Sequence, residues 1–408
     1  MTLRDTFARA LSRARVPAAT EMKASRTAHL IQFEAGGRAR WTPRDYAALA
    51  REGFVKNAVV HRCVKLVAEN VAGASLILYE GPHPLDAHPL LDLIAQPNPR
   101  EDRAGFLEAL VANLLIAGNA YIEAVTLGAG GEDTRPRELY ALRPDRMRVV
   151  PGADGWPQAY EYSVGAQTVR FDQSAALPPV LHLKLFHPLD DHYGLAPLEA
   201  AAMPVDTHNS ASAWSKALLD NSARPSGALV YSGPEGAVLS DNQFERLKRE
   251  LADTYQGARN AGRPLLLEGG LDWKPMSLSP RDMDFMEGRH AAAREIALAF
   301  GVPPMLLAIP GDNTFANYQE ANRVFWRQTV LPLAGRIADA LSRWLGPAFG
   351  QGAGNGLRLA VDTDAIDALA ADRAALWERV NAATFLTMNE KRAMVGFGPV
   401  EGGDVVSG

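Results

Sequence analysis

The sequence predicts an α+β protein, and three observations carry that prediction. Between residues 75 and 186, short runs rich in Val, Ile, Leu and Tyr are punctuated by Gly and Pro, the pattern of short strands joined by tight turns. Around them lie apolar residues spaced three and four apart, the mark of helices that bury one stripe. The third observation is an excursion from Pro197 to Leu307, in which a helix, a compact insert of about 55 residues and a second helix follow one another. Strands and helices segregated in this way pack as helices on sheets.

The elements are read in chain order. Residues 1–38 form a basic, partly amphipathic arm, with Arg4, Arg9, Arg13, Arg15, Lys23 and Arg26 set against Asp5 and Glu21. A helix is predicted over 56–72, with Cys63 on its apolar face beside Val59, Val60, Leu66 and Val67. A strand over 75–80 follows, then a short helix over 88–95 stopped by Pro97-Asn98-Pro99, and a longer helix over 104–117. Gly118-Asn119-Ala120-Tyr121 reads as a helix end with a left-handed glycine, leading into a strand through Thr126. Further strands are expected over 137–142, 147–150, 159–164, 168–171 and 180–186.

The excursion opens on a helix from Pro197 to about Asn221, kinked at Pro204 and rich in small residues from Ser210 to Ser215. Its return helix has an N-cap in Ser279, a first-turn proline in Pro280 and a stop at Gly301-Val302-Pro303-Pro304. Met283, Met286, His290, Ala293, Ala297 and Phe300 form its apolar stripe, opposite Asp284, Glu287, Arg294 and Glu295. From Pro280 to Phe300 it spans roughly 32 Å at 1.5 Å per residue, long for a helix that only covers a sheet. Within the insert, strands over 227–231 and 264–267 flank a helix started by a Ser240/Gln243 capping box, with Phe244, Leu247 and Leu251 as its buried face. Beyond a loop at 309–313, a long helix runs from Asn317 and Glu320 to about Leu345, bent at Pro332. A Gly-rich break at 350–356 precedes a helix over 364–383, with Ile366, Leu369, Trp377 and Val380 facing inward. A short helix capped by Thr387 and Glu390 and ended by Gly396 comes last.

Composition narrows the function. With 408 residues, 47% hydrophobic and 22% charged, the chain has enough apolar surface for two to four ordinary domains, and its apolar runs are too short to span a bilayer. One cysteine excludes an intramolecular disulfide. A net charge of −5 argues against a protein that grips nucleic acid. Over Leu198 to Phe300 there are 11 basic and 14 acidic residues, a net of −3, so nucleic acid touching this stalk would slide past it.

Signs of catalysis are sparse. There is no phosphate-binding loop with its Lys, no dinucleotide glycine fingerprint, no nucleophile elbow and no paired-cysteine zinc pattern, and no cofactor is expected. His182, His187, Asp190, Asp191 and His192 have metal-ligand side chains, but their spacing reads as a strand ending in a polar turn. Arg246, Lys248 and Arg249 suit phosphate or an acidic protein, yet Glu245, Glu250 and Asp253 balance them as a solvated face would. Tyr318, Phe325 and Trp326 fit base stacking, although aromatics at helical spacing are more often core.

A series of strings makes the reading specific. His88-Pro89-Leu90-Leu91 with Pro97-Asn98, Gly118-Asn119-Ala120-Tyr121, Leu142-Arg143-Pro144-Asp145, Tyr193-Gly194-Leu195-Ala196-Pro197-Leu198, Phe300-Gly301-Val302-Pro303-Pro304 and Thr387-Met388-Asn389-Glu390-Lys391-Arg392 occur in order. The set resembles the portal proteins of long-tailed double-stranded DNA phages, a family that includes portals of prophages and gene transfer agents. It covers about 55–404.

The resemblance implies a portal-type α+β subunit assembling as a dodecameric ring at one capsid vertex. Residues 39–196 would be a mixed α/β wing, 197–221 and 279–301 a two-helix stem and 222–278 a small α/β clip. A tunnel loop and long kinked helix would fill 302–349, and a short helical crown 350–408. Asp282, Asp284, Glu287 and Glu295 become candidate channel lining, where repulsion of phosphate prevents sticking, with Asp312, Asn313 and Thr314 at the narrowest point. Arg246, Lys248 and Arg249 become candidate clip contacts. Implied partners are double-stranded DNA passing through, the terminase large subunit, a head-tail adaptor and the major capsid protein, with no membrane and no catalysis by the chain itself. The rival readings are a head-completion or tail adaptor ring and a metal-dependent hydrolase built on His182 to His192.

Overall fold

The computed structural model describes residues 41–127, 135–220, 227–231, 240, 242–243, 245–246, 249, 271–275, 285–310, 315–350 and 356–405. A helical turn, Tyr46–Leu49, runs into a π-helical stretch, Ala50–Val55, and then into α1, Ala58–Gly73. Asn57 starts α1 by accepting hydrogen bonds from the Val59 and Val60 amides at 3.0 and 3.1 Å. Its buried face, including Val60, Cys63, Val64 and Val67, packs on α3, Arg103–Ala117, which Asp102 caps. Phe106, Leu107, Leu110, Val111, Leu114, Leu115 and Ile116 are all buried on α3, so this helix is the centre of the main core. Each such Leu or Val contributes about 1.5–3 kcal/mol by leaving water. Between these two helices come β1 (Leu76–Glu80), β2 (His83–Leu85) and α2 (Pro89–Ala95), the last capped by His88 Nδ1 on the Leu90 amide.

The strands follow the expected order closely. They are β3 (Asn119–Thr126), β4 (Pro136–Leu142), β5 (Met147–Pro151), β6 (Pro157–Val164), β7 (Gln167–Asp172) and β8 (Val180–Lys184). They pair antiparallel as two three-stranded sheets, β4-β3-β8 and β5-β6-β7. A second, smaller core of Tyr121, Leu142, Met147, Val149, Tyr160 and Val180 lies between them. Asn98, buried in the Pro-Asn-Pro stop, donates to the Leu139 carbonyl at 3.0 Å and the Glu101 carboxylate at 2.9 Å, and so ties that turn to β4.

The first helix of the excursion is broken earlier than Pro204. It forms as α4, Pro197–Ala200, and α5, Ala202–Asp220, with Ala201 at φ −85 and ψ 4 between them. Pro204 falls in the first turn of α5, where a missing N–H costs nothing, so the break moves to the residue before that turn. The insert strand β9, Gly227–Tyr231, pairs antiparallel with β10, Leu271–Pro275; the expected strand at 264–267 lies outside the described residues, as do Phe244, Leu247 and Leu251. Ser240 and Gln243 make the expected capping pair, with the Ser240 amide donating to Gln243 Oε1 at 3.0 Å.

The return helix, α6, is described over Phe285–Ala299; Ser279, Pro280 and Met283 lie outside the described residues. Ala293, Ala297 and Phe300 of the expected stripe are buried, joined by Ala292 and Ile296. The long helix forms as α7, Phe315–Phe325, and α8, Leu331–Phe349, joined by a π-helical stretch, Trp326–Val330. Pro332 sits in the first turn of α8, and the widened turn before it accommodates the missing N–H.

Three strands, β2, β10 and β11, have no counterpart among the strands the sequence predicts. β11, Leu357–Val361, pairs antiparallel with β1 to give the sheet order β11-β1-β2, with Leu78 opposite Leu359. Beyond it, α9 (Ala370–Ala382) and α10 (Met388–Met394) form the C-terminal module, and α10 carries the expected Thr387/Glu390 capping box. Ile366, Leu369 and Val380 face inward as expected, whereas Trp377 is 48% exposed and lies edge-on to Phe397 at 6.2 Å. Among the described residues no helix is long and apolar enough to cross a membrane.

Candidate functional site

Two of the sequence strings meet in space where α3 hands over to β3. Gly118 ends α3 in the left-handed region at φ 71, and a Cβ there would stand 2.2 Å from the Gly194 carbonyl oxygen. A Cβ on Gly194 would stand 2.1 Å from the Gly118 oxygen. Asn119 locks the contact. Its Oδ1 accepts from the Gly194 amide at 2.8 Å and from His182 Nε2 at 2.9 Å, while its Nδ2 donates to the Ala117 carbonyl at 2.8 Å. His182 stacks on Tyr121 with ring centroids 4.2 Å apart, and its Nδ1 faces the Tyr160 hydroxyl at 3.4 Å. Burial, helped by the nearby Lys184 and His192 charges, lowers the His182 pKa from 6.5 to about 3, so the ring is neutral.

The candidate metal cluster is thereby divided. His182 is committed to Asn119 and Tyr160, and Asp190 Oδ1 accepts the amides of His192 and Tyr193 at 2.8 and 2.9 Å. His187 Nδ1 accepts the Leu189 amide at 3.0 Å. These residues build a stiff turn, and among the described residues no group of three or more His, Cys, Asp or Glu could hold a metal ion. The turn holds Tyr193 so that its hydroxyl accepts the Val149 amide at 3.0 Å, fastening one sheet to the other. The strand expected to reach Phe186 stops at Lys184, and Phe186 and Leu189 are both exposed on this turn.

The helix pair α5 and α6 leaves from, and returns to, the same wall of the body. Leu198 is fully buried and sits where a Cβ on Gly53 would be, 2.7 Å away. The Thr42 amide and hydroxyl donate to the Asp206 carboxylate at 2.7 and 2.5 Å. Asn57, besides capping α1, donates to His208 Nδ1 at 3.2 Å and to Asn209 Oδ1 at 3.0 Å, and Asn209 donates to the Glu52 carbonyl. Arg289 on α6 reaches His208 from the other side, its Nε 3.5 Å from Nε2. Burial, then the neighbouring Arg289 and His290 charges, keep the His208 pKa below its ordinary value. At the far end of α6, Gly301 at φ 65 presses on Thr329, whose hydroxyl donates to the Gly301 carbonyl at 2.6 Å.

Glu287, Ala291, Arg294, Glu295 and Leu298 form an exposed stripe along α6, opposite the buried one. Glu287 and Glu295 therefore share one solvent-facing side. Arg294 does not stay with them; its guanidinium donates to the Pro310 carbonyl, bracing the chain after Ala308, a non-glycine residue at φ 54. Asp282, Asp284, Asp312, Asn313 and Thr314 lie outside the described residues, as does Lys248. Arg246 and Arg249 are exposed on a helical segment, with Arg249 Nε donating to the Glu245 carbonyl at 3.3 Å.

Comparison with known proteins fits this architecture. The family model described as "Phage portal protein" matches residues 58–396. The chain belongs to the phage portal protein family. It is 25% identical over 367 residues to the portal protein of Enterobacteria phage HK97, covering 87% of this chain and 82% of that one. It is 54% identical to a solved chain of the virion of a native gene transfer agent particle, covering 89% of this chain and 96% of that chain at a TM-score of 0.68. A chain of the neck of a native gene transfer agent particle, computed with C12 symmetry, is 53% identical, with 92% and 100% covered and a TM-score of 0.67. As a portal protein, the chain has two of its motif strings explained by structure: Gly118, Asn119 and Gly194 fasten the α3–β3 junction to the turn after β8.

Proposed function

We propose that this portal protein assembles as a dodecameric ring at one vertex of a phage-like particle, a gene transfer agent, and conducts double-stranded DNA during packaging and ejection. The observation that carries this is the 53% identity over 92% of the chain to a component of a neck computed with C12 symmetry. In this reading α5 and α6 are the stem, residues 222–278 the clip, 39–196 the wing, 302–349 the tunnel loop and long helix, and 350–408 the crown.

A ring repeats one face of α6 around its axis, so Glu287 and Glu295, with Asp282 and Asp284, make rings of negative charge. Negative charge repels phosphate and keeps passing DNA from adhering. Asp312, Asn313 and Thr314 line the narrowest point. Arg246, Lys248 and Arg249 meet the terminase large subunit during filling and the head-tail adaptor afterwards, and the wing meets the major capsid protein. The chain supplies the conduit, and a separate ATPase supplies the work.

The test is direct. Purified protein should form particles of about 528 kDa, twelve chains of 44.0 kDa, with a central hole in electron micrographs. Particles made without it should lack DNA, and it should not hydrolyse ATP. A chain that stays monomeric at every concentration and ionic strength would defeat the ring.

A further inference from the structure

The polar root of the helix pair is one hydrogen-bond acceptor short. Asn57 Oδ1 accepts the Val59 and Val60 amides, which fixes its side-chain amide and leaves only N–H groups to point at α5. One of them goes to Asn209 Oδ1 at 3.0 Å, and the other meets His208 Nδ1 at 3.2 Å. Nδ1 must therefore offer its lone pair, and the ring proton belongs on Nε2. Turning the Asn57 amide over does not help, because its NH2 group would then face the two α1 amides that it caps.

The pattern fails on the Nε2 side. Nε2 faces Arg289 Nε at 3.5 Å, and a guanidinium nitrogen can only donate. Two N–H groups thus point at each other with no acceptor between them, and moving the ring proton to Nδ1 only transfers the clash to Asn57. His208 is 7% exposed, so open water does not relieve it. A buried donor without an acceptor is costly, and more so beside a full charge.

Charge decides what kind of acceptor belongs there. The neighbouring charges that bear on His208 are those of Arg289 and His290, both positive. Asp206, on the same helix, has both carboxylate oxygens taken by Thr42. Glu287 lies two residues before Arg289, about 200° round α6 at 3.6 residues per turn, on the exposed side. Among the described residues Arg289 has no carboxylate partner. We propose that the junction of α5, α6 and the start of α1 is a binding site for one small oxyanion, a phosphate or a carboxylate, held between His208 Nε2–H and the Arg289 guanidinium. An oxygen placed there accepts from both donors and neutralises the arginine.

The test begins with melts of dilute, unassembled full-length chain in buffers of equal ionic strength containing chloride, phosphate or acetate. Phosphate or acetate should raise the wild-type midpoint by about 2 °C or more over chloride, and titration calorimetry should count one phosphate per chain. Arg289→Gln puts a side-chain oxygen where Nε now stands, since both atoms follow Cδ, and so supplies the acceptor from within. That variant should melt no lower than wild type in chloride and should lose the phosphate response. Arg379→Gln, on an exposed face of α9, should keep it. The two sources of the oxyanion separate on assembly, the one arm that rests on the ring reading above. Rings that bind phosphate take up a free anion; rings that bind none, made from chains that each bind one when unassembled, hold a carboxylate of a neighbouring copy instead. Equal melting in all three buffers, an undiminished phosphate response in Arg289→Gln, or an Arg289→Gln chain that melts well below wild type in chloride would overturn the site while leaving the portal ring standing.

Discussion

Asn119 and Gly194 are 75 residues apart in sequence and joined by a hydrogen bond of 2.8 Å in the buried seam between α3 and the turn after β8. Asn119→Leu keeps the volume and removes the acceptor, leaving the Gly194 amide and the His182 Nε2–H buried without partners. Each orphan costs about 1–3 kcal/mol, so a loss of about 2–6 kcal/mol is expected. Denaturant unfolding measures it as a lower midpoint at unchanged slope; a loss under about 1 kcal/mol would contradict the assigned network.

Glycine substitutions should split sharply. Gly118→Ala and Gly194→Ala would drive a methyl group into backbone oxygens at 2.2 and 2.1 Å, and neither should yield soluble folded protein. Gly335, inside α8, would place a methyl group in open space with no neighbouring atom within 4 Å, and Gly335→Ala should stabilise by about 0.5–1 kcal/mol. Thermal melts of the three variants decide this.

His182 predicts acid sensitivity, and the sign is set by its neutral native form. Its pKa lies at about 3 in the fold and near 6.5 when exposed, so below 6.5 the unfolded chain gains a proton that the folded chain refuses. Stability should be fully present above pH 6.5 and decline as pH falls toward 3, by at most about 1.4 kcal/mol per pH unit from this group. His182→Phe should flatten that part of the curve even though it loses the Asn119 hydrogen bond.

Cys63 is a reporter of opening. It is wholly buried, and burial pushes its thiol up to about 12, against the opposing pull of the Arg62 charge. A thiol reagent should leave the native protein unmodified and label it at the rate of unfolding in denaturant. Rapid labelling under native conditions would place α1 outside the core.

Charge reversal on α6 tests assembly and transport separately. Glu287→Lys with Glu295→Lys changes exposed side chains only, so rings should still form. The DNA content of assembled particles should fall, because a positive lining holds phosphate instead of releasing it. Unchanged DNA content would remove these two residues from the channel lining.

Local chemistry makes much of this fold readable in advance. The Thr387/Glu390 capping box, the Gly118 stop and the short strands from β3 to β8, punctuated by Gly and Pro, each follow from a few neighbouring residues. What escapes depends on distant ones. β11 is only five residues long, and the edge that makes it a strand is offered by β1, far earlier in the chain. Trp377 sits at a position whose helical spacing says inward, yet the groove beside it leaves the ring half in water. Sequence alone shifts the break at Ala201 to Pro204, because a proline marks where a helix must start as well as where it bends. Of the candidate site, the acidic face of α6 is legible from spacing, whereas the partnership of Asn119, His182 and Gly194 needs three separate strings brought together.

The pairing of β11 with β1 has a consequence for how the protein is made. Leu78 cannot meet Leu359 until nearly the whole chain has left the ribosome, so the first sheet to be synthesised is among the last to be completed.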